Sequence, residues 1–161
     1  NSQRVAVPKT FSQYLHTGEY HRYLARLIRD LGGEENVVTL PSLSAQEVAE
    51  ELKRAEIFCL PSLCENSPNS LGEAMLMGVP CIATDVGGTE TILKKDEQGL
   101  LVPSGDPAIL SHSIDRLFSN PSLAESFARA GRFEAERRYA PERVVQQLLD
   151  AYESVLKVVC R

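Results

Sequence analysis

Two carboxylates, Glu65 and Glu73, stand with seven residues between them in the run Leu60-Pro-Ser-Leu-Cys-Glu65-Asn-Ser-Pro-Asn-Ser-Leu-Gly-Glu73-Ala-Met-Leu-Met-Gly-Val-Pro80. Between the acids, Asn66, Ser67, Asn69 and Ser70 are small and polar. The run reads as strand, loop, helix, glycine stop and strand, with Glu65 in the loop and Glu73 in the first turns of the helix. Backbone N–H groups at such a helix start, together with the helix dipole, favour an anion. A carboxylate one to two turns into the same helix suits a vicinal diol better than a phosphate. It can accept two hydroxyl hydrogen bonds, as acidic residues do for ribose in dinucleotide folds. Glu65, at the loop entrance, would reach a group on the far side of the phosphate, so nucleoside, diphosphate and sugar in one line fit the spacing. The plainer alternative is an acid in a loop plus an acid that merely complements the helix dipole, for ~0.3–1 kcal/mol. Gly87-Gly88 follows a strand and is open to two readings as well: backbone approaching a ligand, or a tight turn.

These residues need a scaffold, and the chain supplies one in alternating units. Tyr20, Tyr23, Leu24, Leu27, Ile28 and Leu31 fall at helical spacing over 19–31, with Gly32-Gly33 as the stop. Residues 36–40 read as a short buried strand. Ser44-Ala-Gln-Glu47 is a capping box opening a helix over 44–54, with Val48, Leu52 and Ala55 inward. Strands follow at 56–60, 80–84 and 99–102, and helices at 69–77, capped by Asn69 or Ser70, and at 89–93. Asp106-Pro107, Asn120-Pro121 and Ala140-Pro141 open three more helices, Pro being pre-set for the first turn. Short apolar strands alternating with amphipathic helices predict an α/β fold with a parallel sheet covered on both faces. Ligands of such sheets bind beyond the carboxyl ends of the strands, which points to loops 41–44, 61–69 and 84–89. Residues 1–18 carry little periodic signal beyond a strand-like 5–7 stopped by Pro8.

Composition narrows the classes. The 161 residues make one domain, with 43% hydrophobic residues, 24% charged residues and no Trp. A net charge of -5 without a Lys/Arg run argues against a nucleic-acid groove, which needs clustered cations. No apolar run approaches the ~20 residues that span a bilayer, and no signal-peptide pattern opens the chain. Cys59, Cys64, Cys81 and Cys160 form no C-x-x-C pair, and His16, His21 and His112 give no metal-ligand spacing, so reduced thiols and no metal are expected. Cys59 and Cys81 sit in strand-like runs as small hydrophobes, and Cys64 in a loop. The charges of 125–143 (Glu125, Arg129, Arg132, Glu134, Glu136, Arg137, Arg138) read as a solvated helix face.

The run Pro61-Ser62…Glu65…Glu73-Ala74-Met75…Gly78-Val79-Pro80…Ala83-Thr84…Gly87-Gly88…Gly99-Leu100-Leu101-Val102-Pro103…Gly105-Asp106-Pro107 resembles group 1 (family 4) glycosyltransferases in order and spacing over about 35–158. These are retaining enzymes of the GT-B fold, built from two facing Rossmann-like domains. The resemblance implies that 1–161 is the C-terminal, nucleotide-sugar-binding domain, with the N-terminal acceptor domain outside this chain. By similarity Glu73 would hold the donor ribose hydroxyls and Glu65, the catalytic-side acid, the sugar ring hydroxyls. Main-chain N–H groups of Asn66, Ser67, Asn69, Ser70 and Leu71 would serve sugar and diphosphate, with Gly87 and Gly88 nearby and 40–42 lining the base. Transfer would retain the anomeric configuration and use no metal or other cofactor. The partners implied are a nucleotide-sugar donor, the upstream domain, and a glycan or lipid acceptor. The donor implies a cytoplasmic setting, at the inner membrane face if the acceptor is a lipid.

The sequence departs from the family pattern in three places. No Gly-Arg…Lys-Gly pair precedes the first helix, although Arg4 and Lys9 are present; Pro68 lacks an N–H; and Glu90 stands one residue before the family's usual Glu, at Thr91. The closing helix carries Val144, Val145, Leu148, Leu149, Tyr152, Val155, Leu156 and Val159 on one stripe. It would pack on its own domain or cross to the missing half, in which case an exposed stripe would make the chain self-associate. A non-catalytic nucleotide-binding module of the same fold is the alternative function, and a protein-binding scaffold a third.

Overall fold

The computed structural model describes residues 19–159. In order they form α1 (Glu19–Asp30), α2 (Ala45–Arg54), β1 (Phe58–Leu60), α3 (Asn69–Leu76), β2 (Cys81–Thr84), α4 (Thr89–Ile92), β3 (Gly99–Val102), α5 (Pro107–Phe118), α6 (Pro121–Arg138) and α7 (Pro141–Val159). The three strands make one parallel sheet in the order β1-β2-β3, with Phe58 opposite Cys81 and Cys81 opposite Gly99. Parallel strands need crossovers, and α3 and α4 provide them.

Period-two alternation sends the strand residues into two cores. Phe58, Leu60, Cys81, Ala83 and Leu101 pack with Leu52 of α2 and Leu71, Ala74 and Met75 of α3. Cys59, Ile82, Leu100 and Val102 pack on the other face with Leu117 of α5 and Phe127 of α6. Fully burying a Leu, Ile, Val, Phe or Met side chain contributes about 1.5–3 kcal/mol, and every residue of the three strands is buried. The cysteines follow suit: burial pushes the Cys59 thiol up to about 11, and burial followed by the neighbouring Cys59 pushes Cys81 up further. Cys64 is exposed.

Helix starts match their sequence signals. Ser44 N–H donates to Glu47 Oε2 at 2.7 Å and Glu47 N–H to Ser44 Oγ at 3.4 Å, closing the capping box. Asp106 Oδ1 accepts from Ala108 and Ile109, and Asn120 Oδ1 from Leu123. On α6, Arg129 pairs with Glu125, Arg132 with Glu136 and Arg137 with Glu134; all but the half-buried Glu134 are exposed, as expected of a solvated face.

Two expectations are corrected. Residues 36–40 form no strand; Val37 and Val38 are 48% and 61% exposed. A strand needs a partner, and β1 pairs only with β2 among the described residues, so this apolar stretch has no ladder to join. Neither Asn69 nor Ser70 caps α3. The cap is Pro68 (φ -72°, ψ 103°), which makes no side-chain hydrogen bond, and its ring fixes an entry one residue earlier than the polar residues suggested. The strand-like 5–7, Arg4 and Lys9 lie outside the described residues.

Candidate functional site

Three loops meet at the carboxyl ends of β1, β2 and β3. Loop 61–68 leaves β1 and enters α3 directly, and the turn 85–88 leaves β2 and enters α4. Thr84, the last residue of β2 and 4% exposed, donates its hydroxyl to Ser62 O at 2.6 Å and lies 3.3 Å from Leu60 O. Ser104, just beyond β3, donates to the same Ser62 carbonyl at 3.4 Å. All three strand ends thus converge on the backbone of Ser62.

Glu65 sits half-buried in this loop, and Ser62 Oγ donates to its Oε1 at 2.7 Å. Gly87 (φ 54°) and Gly88 lie against the same loop: a Cβ on Gly87 would overlap Glu65 O, and one on Gly88 would overlap Asn66 O. The close approach of Gly87-Gly88 is therefore to the backbone of the acid-bearing loop, which supplies a packing reason for both glycines.

Asn66 and Ser67 are exposed in the loop; Asn69 and Ser70 open α3, exposed and half-buried respectively. The first N–H groups of a helix have no intrahelical partner, and no side chain caps α3. Leu71 differs: its N–H donates to Pro68 O at 3.2 Å and its side chain is fully buried, so it belongs to the helix and the core. Glu73 is exposed in the second turn of α3, on the side away from Leu71, Ala74 and Met75. Glu65, the polar loop, the uncapped start of α3 and Glu73 thus follow one another along the chain from the carboxyl end of β1, with Asn66, Ser67, Asn69 and Glu73 exposed. Among the described residues no three His, Cys, Asp or Glu gather to hold a metal ion.

Sequence reasoning missed two supports. Ser62 begins a Ser-x-x-Glu spacing like that of the capping box at 44–47, and in both the serine hydroxyl donates to the acid. Tyr139, the C-cap of α6, lies over Gly72, where a Cβ would come within 2.8 Å of its ring. Beside it, Arg138 Nη1 donates to Thr91 O at 2.7 Å, so this residue ties α6 to α4 and leaves the solvated face assigned to it. The α7 stripe is exposed from Val144 to Leu156, with Val144 at 48% and Tyr152 and Leu156 at 60%. No helix among the described residues is long and apolar enough to cross a membrane.

A parallel sheet covered by helices on both faces matches the architecture of one half of a GT-B glycosyltransferase. The chain belongs to the glycosyl transferases group 1 family, whose pattern matches residues 17–133. It is 36% identical over 108 residues to a phosphatidyl-myo-inositol mannosyltransferase of Mycobacterium leprae, covering 66% of this chain and 29% of that protein. The sucrose-phosphate synthase (tll1590) from Thermosynechococcus elongatus superposes with a TM-score of 0.79 at 25% identity, covering 87% of this chain and 35% of the other. Anabaena Alr3699/HepE, solved in complex with UDP-glucose, shares the fold with a TM-score of 0.81 at 21% identity, over 87% of this chain and 38% of that one. The chain therefore spans about a third of the length of these relatives.

Proposed function

We propose that this chain is the donor-binding domain of a retaining glycosyltransferase that moves a sugar from a nucleoside-diphosphate sugar to a glycan or lipid acceptor held by an upstream domain. The observation that supports this reading is the order Glu65, uncapped start of α3, Glu73 directly after the carboxyl end of β1. Glu73 accepts from the ribose hydroxyls and Glu65 from hydroxyls of the sugar ring. The N–H groups of Asn66, Ser67, Asn69 and Ser70 face the sugar and diphosphate, and 40–42 lines the base. Leu71, whose N–H serves Pro68 O, supports the loop only through packing.

Fixed N–H dipoles aimed at the departing diphosphate stabilise its growing charge without reorganising, the usual origin of the largest catalytic term. In this reading the leaving group is neutralised without a metal, aided by cations outside the described residues. The donor sets the reaction in the cytosol, at the inner membrane face for a lipid acceptor. Proton NMR of the sugar released by the full-length protein, read before mutarotation, tests retention. An α-linked donor yields the α sugar first under this mechanism, and first appearance of the β sugar would exclude it.

A further inference from the structure

Glu65 does not stand alone in its loop. Its Oε1 takes the single hydroxyl proton of Ser62 at 2.7 Å. The Ser62 carbonyl is itself held by Thr84 Oγ1 at 2.6 Å and Ser104 Oγ at 3.4 Å, from the ends of β2 and β3. Beneath the loop, Gly87 and Gly88 bring their backbone so close to Glu65 O and Asn66 O that neither site has room for a side chain. A three-residue spacing in a loop leaves many carboxylate rotamers open; here the donor is anchored through its own backbone to the buried sheet.

We infer that Ser62 is a positioning residue for Glu65. It fixes the carboxylate by occupying Oε1 and leaves Oε2 as the oxygen that meets a hydroxyl of the donor sugar. This rests on the donor-site reading above and deepens it, because it assigns the two oxygens of Glu65 different tasks. Ser62 touches no part of the nucleotide in this arrangement. Its loss therefore weakens the sugar half of donor recognition and spares the nucleoside half.

The test uses the full chain with Ser62→Ala and Ser62→Thr, probed by UDP and UDP-glucose in calorimetry and by the Glu65 side-chain carboxyl resonance in carbon NMR without ligand. Hydrogen bonds to charged groups are strong enough that Ser62→Ala should weaken UDP-glucose about tenfold and leave UDP unchanged. The same substitution should move the Glu65 resonance, and Ser62→Thr, which keeps the hydroxyl, should restore both. A Glu65 resonance identical in wild type and Ser62→Ala overturns the inference, as does equal weakening of UDP and UDP-glucose. If the wild type binds neither ligand, the donor reading for this probe fails, and the resonance still decides the role of Ser62.

Discussion

At the scale of single residues, Gly72 shows how closely the acid-bearing helix is fitted. The position lies one residue before Glu73, and the ring of Tyr139 occupies the space a side chain would take, 2.8 Å from an added Cβ. Overpacking of this kind costs about 1–3 kcal/mol, so Gly72→Ala is predicted to lower the unfolding free energy by that amount in denaturant titration. In a Tyr139→Ala background the same substitution should cost little, because the obstructing ring is gone and alanine is the better helix former. Equal costs in both backgrounds would show that Tyr139 is not the obstacle. Glu65 and Glu73 stood out through the resemblance of their whole run to the family pattern, since type and spacing alone left the plain loop-and-dipole reading open. Ser62 as a hydrogen-bond donor and Tyr139 as a cover did not stand out. Contacts such as Tyr139 with Gly72 join residues far apart in the chain, and no local pattern encodes them.

At the scale of elements, local signals translated well wherever a segment carried its own cap or its own buried face. Ser44 caps the helix it was expected to cap, and Asp106 and Asn120 cap the helices expected to open at Asp106-Pro107 and Asn120-Pro121. The strands at 58–60, 81–84 and 99–102 lie within the expected apolar runs. Residues 36–40 failed for a tertiary reason: their apolar composition suits a strand, but pairing is decided by the neighbour. The start of α3 failed for a stereochemical one, since Pro68 ended the loop before Asn69 could act as cap. The α7 helix makes the opposite point, having a clear apolar stripe and no cover on it among the described residues, with Leu148 and Leu149 51% and 49% exposed. Contiguous apolar surface of this kind drives association. Sedimentation of the chain alone is predicted to show concentration-dependent self-association, relieved by Leu148→Glu together with Leu156→Glu. A monomer at all concentrations would contradict it.

At the scale of the whole molecule, the fold carries the Glu65 loop at the carboxyl ends of a parallel sheet, with Glu73 on the helix that follows it. Two apolar cores brace that sheet from both faces, and loop 61–68 is tied to the ends of all three strands. Family membership follows from the pattern over 17–133, and a shared fold does not by itself name a ligand. The most direct test of donor binding is calorimetric titration of the chain with UDP, GDP and ADP, repeated with Glu73→Ala. One diphosphate should bind, and removing the carboxylate proposed to accept from both ribose hydroxyls should weaken it about tenfold or more. Binding of that diphosphate with undiminished affinity by Glu73→Ala would contradict the role assigned to this acid, and no binding of any diphosphate by the wild type would contradict a self-sufficient donor site on this chain.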